Sequence, residues 1–516
     1  MSSLRGVFSC AVGISLLTAV SFGASAKKGE GLRLGVGDAS NVWLPGDINS
    51  TNVSSSDPLI LDVKKANQGF VAKALRPGQG FVTVNSKGKS KRIDFSIMPY
   101  AAKIPNQIVA TVSGKPAIPG TVSGAIEAAV KQQLSYAPLA KLAIKFVHVP
   151  SLGAGMTINV PIKVNITAPG TMAKTGTLTV KVSNIGLMQK SEDALWYCND
   201  PEKITKKENL FAAELQPEKS ARMLYHHINE TSQVMIVRTM IINNSDTETT
   251  VCLTPGDSAP TIDPVGAGLR AGDMFLRAWV NDSGEILTLP PKTCLPISCR
   301  RLKPKSVISG LCSIRHVKGD SKVLVRTDAF PVIDLEPRWS PTLTSSTPWR
   351  EVGPLALRSW DNTDYTISEH VYPMPYQTET AKYSVGGRFS VIRLGQKSIG
   401  RQDNSGRLDG NFGVVYDIGA TITNPQKVAT DVELVFEPSA GYSGGIFFID
   451  DRYVITPKIL PRSEARIAKY RLQPGETRKV KILTMPLSGS SYPATLFVRL
   501  IGSGSTSDII DLSKSK

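Results

Sequence analysis

The 516-residue chain reads as a mainly β protein, with several β-sandwich modules in tandem and one small α+β unit. Three observations predict this. Short runs of β-branched and aromatic residues alternate with polar ones at period two. The 43 glycines and 34 prolines supply turn signals between such runs. Charged residues make up 20% and hydrophobic residues 41%, an ordinary globular balance in a chain too long for one small domain. A collagen, a coiled coil and a disordered chain are thereby excluded.

Residues 1–26 read as a secretory signal. Arg5 gives a positive start, and Ala24-Ser25-Ala26 is a small-x-small cleavage pattern. The apolar stretch between them is too short and too broken by Gly and Ser for a membrane span. Export is therefore expected, to the periplasm, the cell surface or the medium. No later run is long and apolar enough to cross a bilayer, so the mature chain is expected to lack a transmembrane segment. Cleavage lowers the formal charge of +17 by one, because Arg5 is the signal's single charged side chain. An exported surface this basic favours polyanions.

Residues 27–100 form the first predicted β domain, with Pro77-Gly78 as a turn between strand-like runs. Three patterns occur in order: Ser56-Asp57-Pro58, then Leu61-x-Val63, then Arg76-Pro77-Gly78-x-Gly80-x-Val82-x-Val84. Over residues 30–97 this order resembles bacterial Ig-like domains of the Big type. It is also similar to the small N-terminal domain of secretin-type pilus-assembly proteins. The resemblance implies a spacer or contact module and no activity of its own.

Residues 101–190 are the expected α+β unit. Ala125, Ile126, Ala129, Val130 and Leu134 recur at helical spacing after Ser123-Gly124. The charged run 191–209 reads as a linker. Residues 210–330 read as a β-sandwich carrying most of the cysteines, with Asn281-Asp282-Ser283-Gly284 as a hairpin turn between strands at 275–280 and 286–289. Residues 331–380, rich in Pro, Ser and Thr and holding Trp339, Trp349 and Trp360, read as a long connection packed on its neighbours.

Residues 381–500 form a C-terminal sandwich that is Ig-like by its strand count and alternation. Tyr416, Ile418, Ala420 and Ile422 alternate with polar or small residues, as do Val432, Leu434 and Phe436. Residues 501–516 read as a flexible tail. A short echo links the last two sandwiches: Thr421-Ile422-Thr423-Asn424 leads to Val432-Glu433-Leu434, and Ile241-Ile242-Asn243 leads at the same offset to Val251-Cys252-Leu253.

The chemistry-bearing motifs are sparse. Gly441-Tyr442-Ser443-Gly444-Gly445 matches G-x-S-x-G, but a strand-like run follows it and the last histidine is His370, far upstream. No catalytic, cofactor or metal residue is therefore assigned. Cys294, Cys299, Cys312 and His316 have spacing close to that of a zinc finger, without the helix such a site needs. In an exported chain the expectation is at least one disulfide among Cys252, Cys294, Cys299 and Cys312. Between Arg300 and Arg326 eight cations face Asp320 alone, and Arg300, Arg301, Lys303, Lys305, Arg315 and Lys318 are the candidate polyanion contacts. Trp339, Trp349 and Trp360 are candidate platforms for sugar rings.

The function these features favour is an exported, non-catalytic structural, adhesive or assembly protein of the bacterial cell envelope. Its partners would be envelope proteins, or a surface polysaccharide or other anionic polymer. The alternative is a polysaccharide- or polyanion-binding envelope protein. A hydrolase of envelope polymers is the third reading, and it requires acids gathered from distant parts of the chain.

Overall fold

A computed structural model describes residues 31–44, 50–145, 148–188, 190–336, 354–358, 365–439, 441–503 and 509–514. The expected signal segment and Trp339, Trp349 and Trp360 lie outside these residues. The described chain is mainly β, with two α-helices, and is divided among many sheets as a multi-module sandwich protein. It forms two compact units. The first holds residues 31–103, 135–143 and 165–175 of the described chain, and the second holds the remainder.

The first unit contains a small sandwich. One sheet is ordered Leu32–Gly35, Lys89–Met98, Gly78–Ser86, Thr51–Ser55. The other is ordered Ala39–Trp43, Gly69–Ala74, Leu61–Ala66. Alternation buries Val82 and Val84 on one strand and Phe95 and Ile97 on the next, against Leu61, Phe70 and Ala72.

The second unit is built on a long sheet. Part of its strand order is Gln107–Ser113, Gly284–Leu289, Thr249–Thr254, Val307–Lys318, Ser220–Asn229, Ala194–Cys198, Val371–Pro373. Helix α1 (Pro119–Gln133) carries the expected apolar face, with Ala125, Ile126, Ala129 and Val130 buried. Gln107–Ser113 pairs with Gly284–Leu289, so the strand preceding α1 belongs to the same sheet as the cysteine-bearing module. A second sheet, ordered Glu208–Leu215, Val323–Pro331, Met235–Asn243, Thr293–Leu302, Leu355–Ala356, faces it. Met223, Tyr225, Val237, Ile241, Leu253 and Ile314 fill the space between. The C-terminal sandwich lies beyond the other face of the long sheet, and its core is continuous with Leu195, Leu224 and Leu311. Tyr416, Ile418, Ala420 and Ile422 point into that core as their alternation predicts.

Three expectations are corrected. Residues 191–209 are not a linker: Ala194–Cys198 is a strand of the long sheet with Leu195, Trp196 and Cys198 buried. Residues 275–280 are not a strand. Helix α2 (Pro264–Trp279) covers them, with Val265, Ala271, Phe275 and Leu276 buried at helical spacing and Pro264 at its first turn. The tail is not wholly free, because Ile509–Asp511 pairs with Glu464–Leu472 and Asp511 contacts Arg466 at 2.8 Å.

The sequence echo has a physical basis. Each of the two asparagines ends a strand and clamps the loop that follows. The Asn243 amide donates to the carbonyls of Thr247, Leu289 and Pro290, and its oxygen accepts the Ser245 N–H. The Asn424 amide donates to Val428, Leu472 and Gln473, and its oxygen accepts the Gln426 N–H. Both side chains are fully buried, so each tie replaces water that cannot reach these carbonyls. Asn243→Ala and Asn424→Ala should each destabilise the protein by about 2–4 kcal/mol, because buried carbonyls lose their donors. Urea unfolding of each variant measures this, and a midpoint unchanged in both would show that the clamps contribute nothing.

Candidate functional site

The strand Ser220–Asn229 has two faces with different neighbours. Met223 and Tyr225 enter the central sandwich core. Arg222, Leu224 and His226 alternate with them and turn toward the C-terminal sandwich. Helix α2 lies at this junction. It can approach closely because Gly268 and Gly272 carry no side chain: a Cβ at Gly268 would lie 1.9 Å from the Ser488 carbonyl oxygen, and one at Gly272 2.5 Å from the Leu487 side chain.

Arg222 is completely buried. One terminal nitrogen donates to Glu192 Oε2 at 2.6 Å and to the Tyr376 hydroxyl at 3.1 Å. The other donates to the Gly413 carbonyl at 2.7 Å. Trp279 Nε1 donates to Glu192 Oε1 at 3.0 Å, and the Tyr376 hydroxyl donates to Glu192 Oε2. The guanidinium also lies 5.1 Å from the Tyr376 ring centre and 5.5 Å from that of Trp279. Burial disfavours the Glu192 carboxylate, but the Arg222 charge and the Tyr376 hydroxyl outweigh it and hold its pKa below the usual range. Burial, reinforced by the Glu192 charge against an opposing pull from Arg222, pushes the Tyr376 hydroxyl up to about 12. The result is a charged pair whose ligands come from the central sandwich, α2 and the C-terminal sandwich together.

Four positions along the strand from Arg222, His226 Nδ1 meets Ser309 Oγ at 2.5 Å, and Ser488 Oγ donates to Ser309 Oγ at 3.2 Å. Glu202 Oε1 is 3.9 Å from His226 Nε2. This serine, histidine and carboxylate are near one another, but Ser309 is wholly buried and its hydroxyl joins the two sandwiches. His227 points the other way, with Nε2 3.2 Å from Cys198 Sγ and Nδ1 3.1 Å from the Pro201 carbonyl. Burial pushes His226 down to about 4 and His227 to about 3.

A narrow cleft beside the junction is bordered by Glu192, Trp279, Asp282 and Arg315. It brings two carboxylates to one place. Both Glu192 oxygens are held by Arg222, Tyr376 and Trp279. The carboxyl of Asp282 is raised by burial, against the opposing charges of Lys115 and Arg315.

The residues singled out in the sequence are scattered. Ser443 is buried and its hydroxyl donates to the Ser491 carbonyl. The disulfide expectation is corrected: among the described residues Cys198, Cys252, Cys294, Cys299 and Cys312 are in no disulfide. Cys294 and Cys299 are five positions apart on one strand, about 16 Å, beyond any bridge. Cys312 packs inside the sandwich core, whereas Cys294 packs in a separate cluster with Met240, Ile242 and Leu324. Cys252 borders the cleft. Among the described residues no group of three His, Cys, Asp or Glu side chains is placed to hold a metal.

Arg300 is also corrected as a polyanion contact. It is buried, and its Nε donates to Asp257 Oδ2 at 2.8 Å in a network with Tyr225 and Ser298. Lys305 pairs with Glu230, and Arg315 donates to the Met188 carbonyl. Arg301, Lys303 and Lys318 are exposed. The candidate sugar platforms Trp339, Trp349 and Trp360 fall outside the described residues. The central residues of the junction were not singled out from sequence. Arg222 left one signal, a lone charge within the apolar run Ala221-Arg222-Met223-Leu224-Tyr225. Glu192, in a charged segment, left none.

No family model and no curated protein matches the chain. Solved structures share only remote likeness. A chimeric titin Z1Z2 tandem is 9% identical, with 30% of this chain and 95% of that chain covered and a TM-score of 0.11. Human mucin-like protocadherin EC1-2 is 13% identical, with 31% and 96% covered and a TM-score of 0.11. Tripeptidyl peptidase 2 is 10% identical, with 87% and 33% covered and a TM-score of 0.16. Likeness this low assigns no function.

The buried histidines predict a pH dependence. Their folded pKa values lie below the usual 6.5, so the unfolded chain takes up protons first as the pH falls. Their contribution is therefore complete above pH 6.5 and declines as the pH drops toward 4, by about 2 kcal/mol per histidine at pH 5. Urea midpoints should fall from pH 7 to pH 5, and less steeply in His226→Gln. Equal midpoints at the two pH values would contradict neutral, buried imidazoles.

Proposed function

We propose that the chain is an exported, non-catalytic structural protein of the bacterial cell envelope, serving as an adhesive or assembly scaffold. The observation that supports this most is the junction itself. A buried guanidinium bonds to Glu192 and to Tyr376 and Gly413 of the C-terminal sandwich, and Trp279 of α2 donates to the same Glu192, which suits a protein that must hold modules at a set angle under load. Its partners in this reading are envelope proteins, bound through exposed strand edges and loops. No helix among the described residues is long and apolar enough to cross a membrane. A second reading, contact with an anionic polymer, is favoured by exposed Arg301, Lys303 and Lys318 and no longer includes Arg300.

Fractionation of the source cells tests the proposal. The chain should be found outside the cytoplasm, begin at Lys27, and migrate on native gels in assemblies larger than its own mass. An uncleaved cytoplasmic monomer would refute it.

A further inference from the structure

We propose that the C-terminal strand is exchanged between copies of this chain, so that the tail of one copy completes the C-terminal sandwich of another. One sheet of that sandwich is ordered Ser390–Leu394, Ala494–Leu500, Thr430–Pro438, Glu464–Leu472, Ile509–Asp511. Ala494–Leu500 and Glu464–Leu472 are both antiparallel to Thr430–Pro438, and Ile509–Asp511 is parallel to Glu464–Leu472. The last two strands of the chain therefore run in the same direction, with two strands between them. A connection between strands of one direction in one sheet takes a dozen residues or more. Residues 501–508 supply eight.

The register shows how little slack that leaves. Leu500 lies opposite Val432 and Ala465 opposite Phe436, and Ile509 pairs one position beyond, with Glu464. The two ends are thus five positions apart along the strands, about 17 Å, and three strand spacings across, about 14 Å, a diagonal of about 22 Å. The Ser503 N–H turns back to the Leu500 carbonyl at 3.2 Å, so the first three residues gain little distance. The six steps from Ser503 to Ile509 reach at most about 20–22 Å. A connection to the chain's own sheet edge is at the limit of its length. A hinge segment this short favours exchange, because a tail that reaches another copy has no such limit.

The edge is built to receive this segment. Arg466 Nη1 donates to Asp511 Oδ2 at 2.8 Å, and the Leu512 N–H donates to the Arg466 carbonyl at 2.9 Å. Arg452, on a strand of the facing sheet, donates to the Ser513 carbonyl, so the tail meets both sheets of the sandwich. Leu512 packs against the sandwich core. Arg466 is oriented from behind by Glu433 at 2.7 Å, and Glu433 is tied through Arg499 to Glu464. Two guanidinium groups thus face a carboxylate and a carbonyl, and the chain itself carries that matching segment. A second copy is the occupant that supplies it.

The inference gives the scaffold reading a surface and a partner. The test uses the full mature chain. Six Gly and Ser residues inserted after Ser503 leave the tail and its acceptor intact and remove the length limit. The native chain should elute at twice its own mass or more, and the lengthened chain should shift to the mass of one chain. An A465C/I510C variant joins two register partners on adjacent strands, within reach of a disulfide. On a non-reducing gel its bonds should link separate chains at the native length and close within one chain after lengthening. A native chain of single mass, or disulfides only within chains at the native length, would overturn the proposal. An assembly that lengthening leaves unchanged would overturn it too, by showing that other contacts hold the copies. None of these results bears on export or on binding to other envelope proteins, so the scaffold reading stands or falls separately.

Discussion

A guanidinium with no exposed surface needs its charge matched, and at Arg222 the partners of its two terminal nitrogens organise the second unit. Carboxylate, hydroxyl, carbonyl and aromatic faces all have to arrive together. Glu192 lies just before the strand Ala194–Cys198, Trp279 ends α2, and Tyr376 and Gly413 belong to the C-terminal sandwich. If one of these elements shifts, a charge is left buried without its partner. The penalty for that is larger than the net gain from the intact pair. The pair therefore contributes chiefly to the choice of arrangement, while the apolar core around Leu195, Leu224, Phe275 and Leu311 contributes most of the favourable burial.

The helix explains how two sandwiches come close enough for this. Most β modules in tandem meet through loops. Here α2 lies between them, and its buried apolar side is opened by Gly268 and Gly272. Leu487 and Ser488 settle against those glycines, and Ser488 also reaches Ser309. Helix packing, the serine contacts and the Arg222 cluster thus define a single junction by three different kinds of interaction. The buried thiols fit the same picture: burial raises Cys252 and Cys312 to about 12, so they behave as small apolar core residues and not as reactive groups.

The sequence revealed what period two can reveal. The strands Val415–Thr423 and Thr430–Pro438 were legible because one face is core and the other polar. The buried strands Ser220–Asn229 and Met235–Asn243 carry no such alternation, since both faces are covered, and there only the apolar run is visible. Helix α2 was missed because its glycines and two arginines dilute the apolar stripe, and Phe275 to Val280 alone looks extended. The two asparagine clamps were visible as an echo before their role was, because each needs the same residue at the same place in the loop. Charge was the least legible feature. Arg300 counted among surface cations, yet its partner Asp257 lies 43 positions away and only the folded sheet brings them together. The same separation hid the Glu192–Arg222–Tyr376 cluster, which draws on three separate stretches of chain.

The most direct measurement is a double-mutant cycle on unfolding free energy with Arg222→Met and Glu192→Gln. If the pair sets the junction, each single change costs about 3–5 kcal/mol by leaving a buried charge or its hydrogen-bonding partners unmatched. The double variant then costs far less than the sum, with a coupling of 0.5–3 kcal/mol or more, as expected for residues in contact. Single costs that simply add, within about 0.5 kcal/mol, would show that Arg222 and Glu192 act independently and that the junction is held by its apolar core alone.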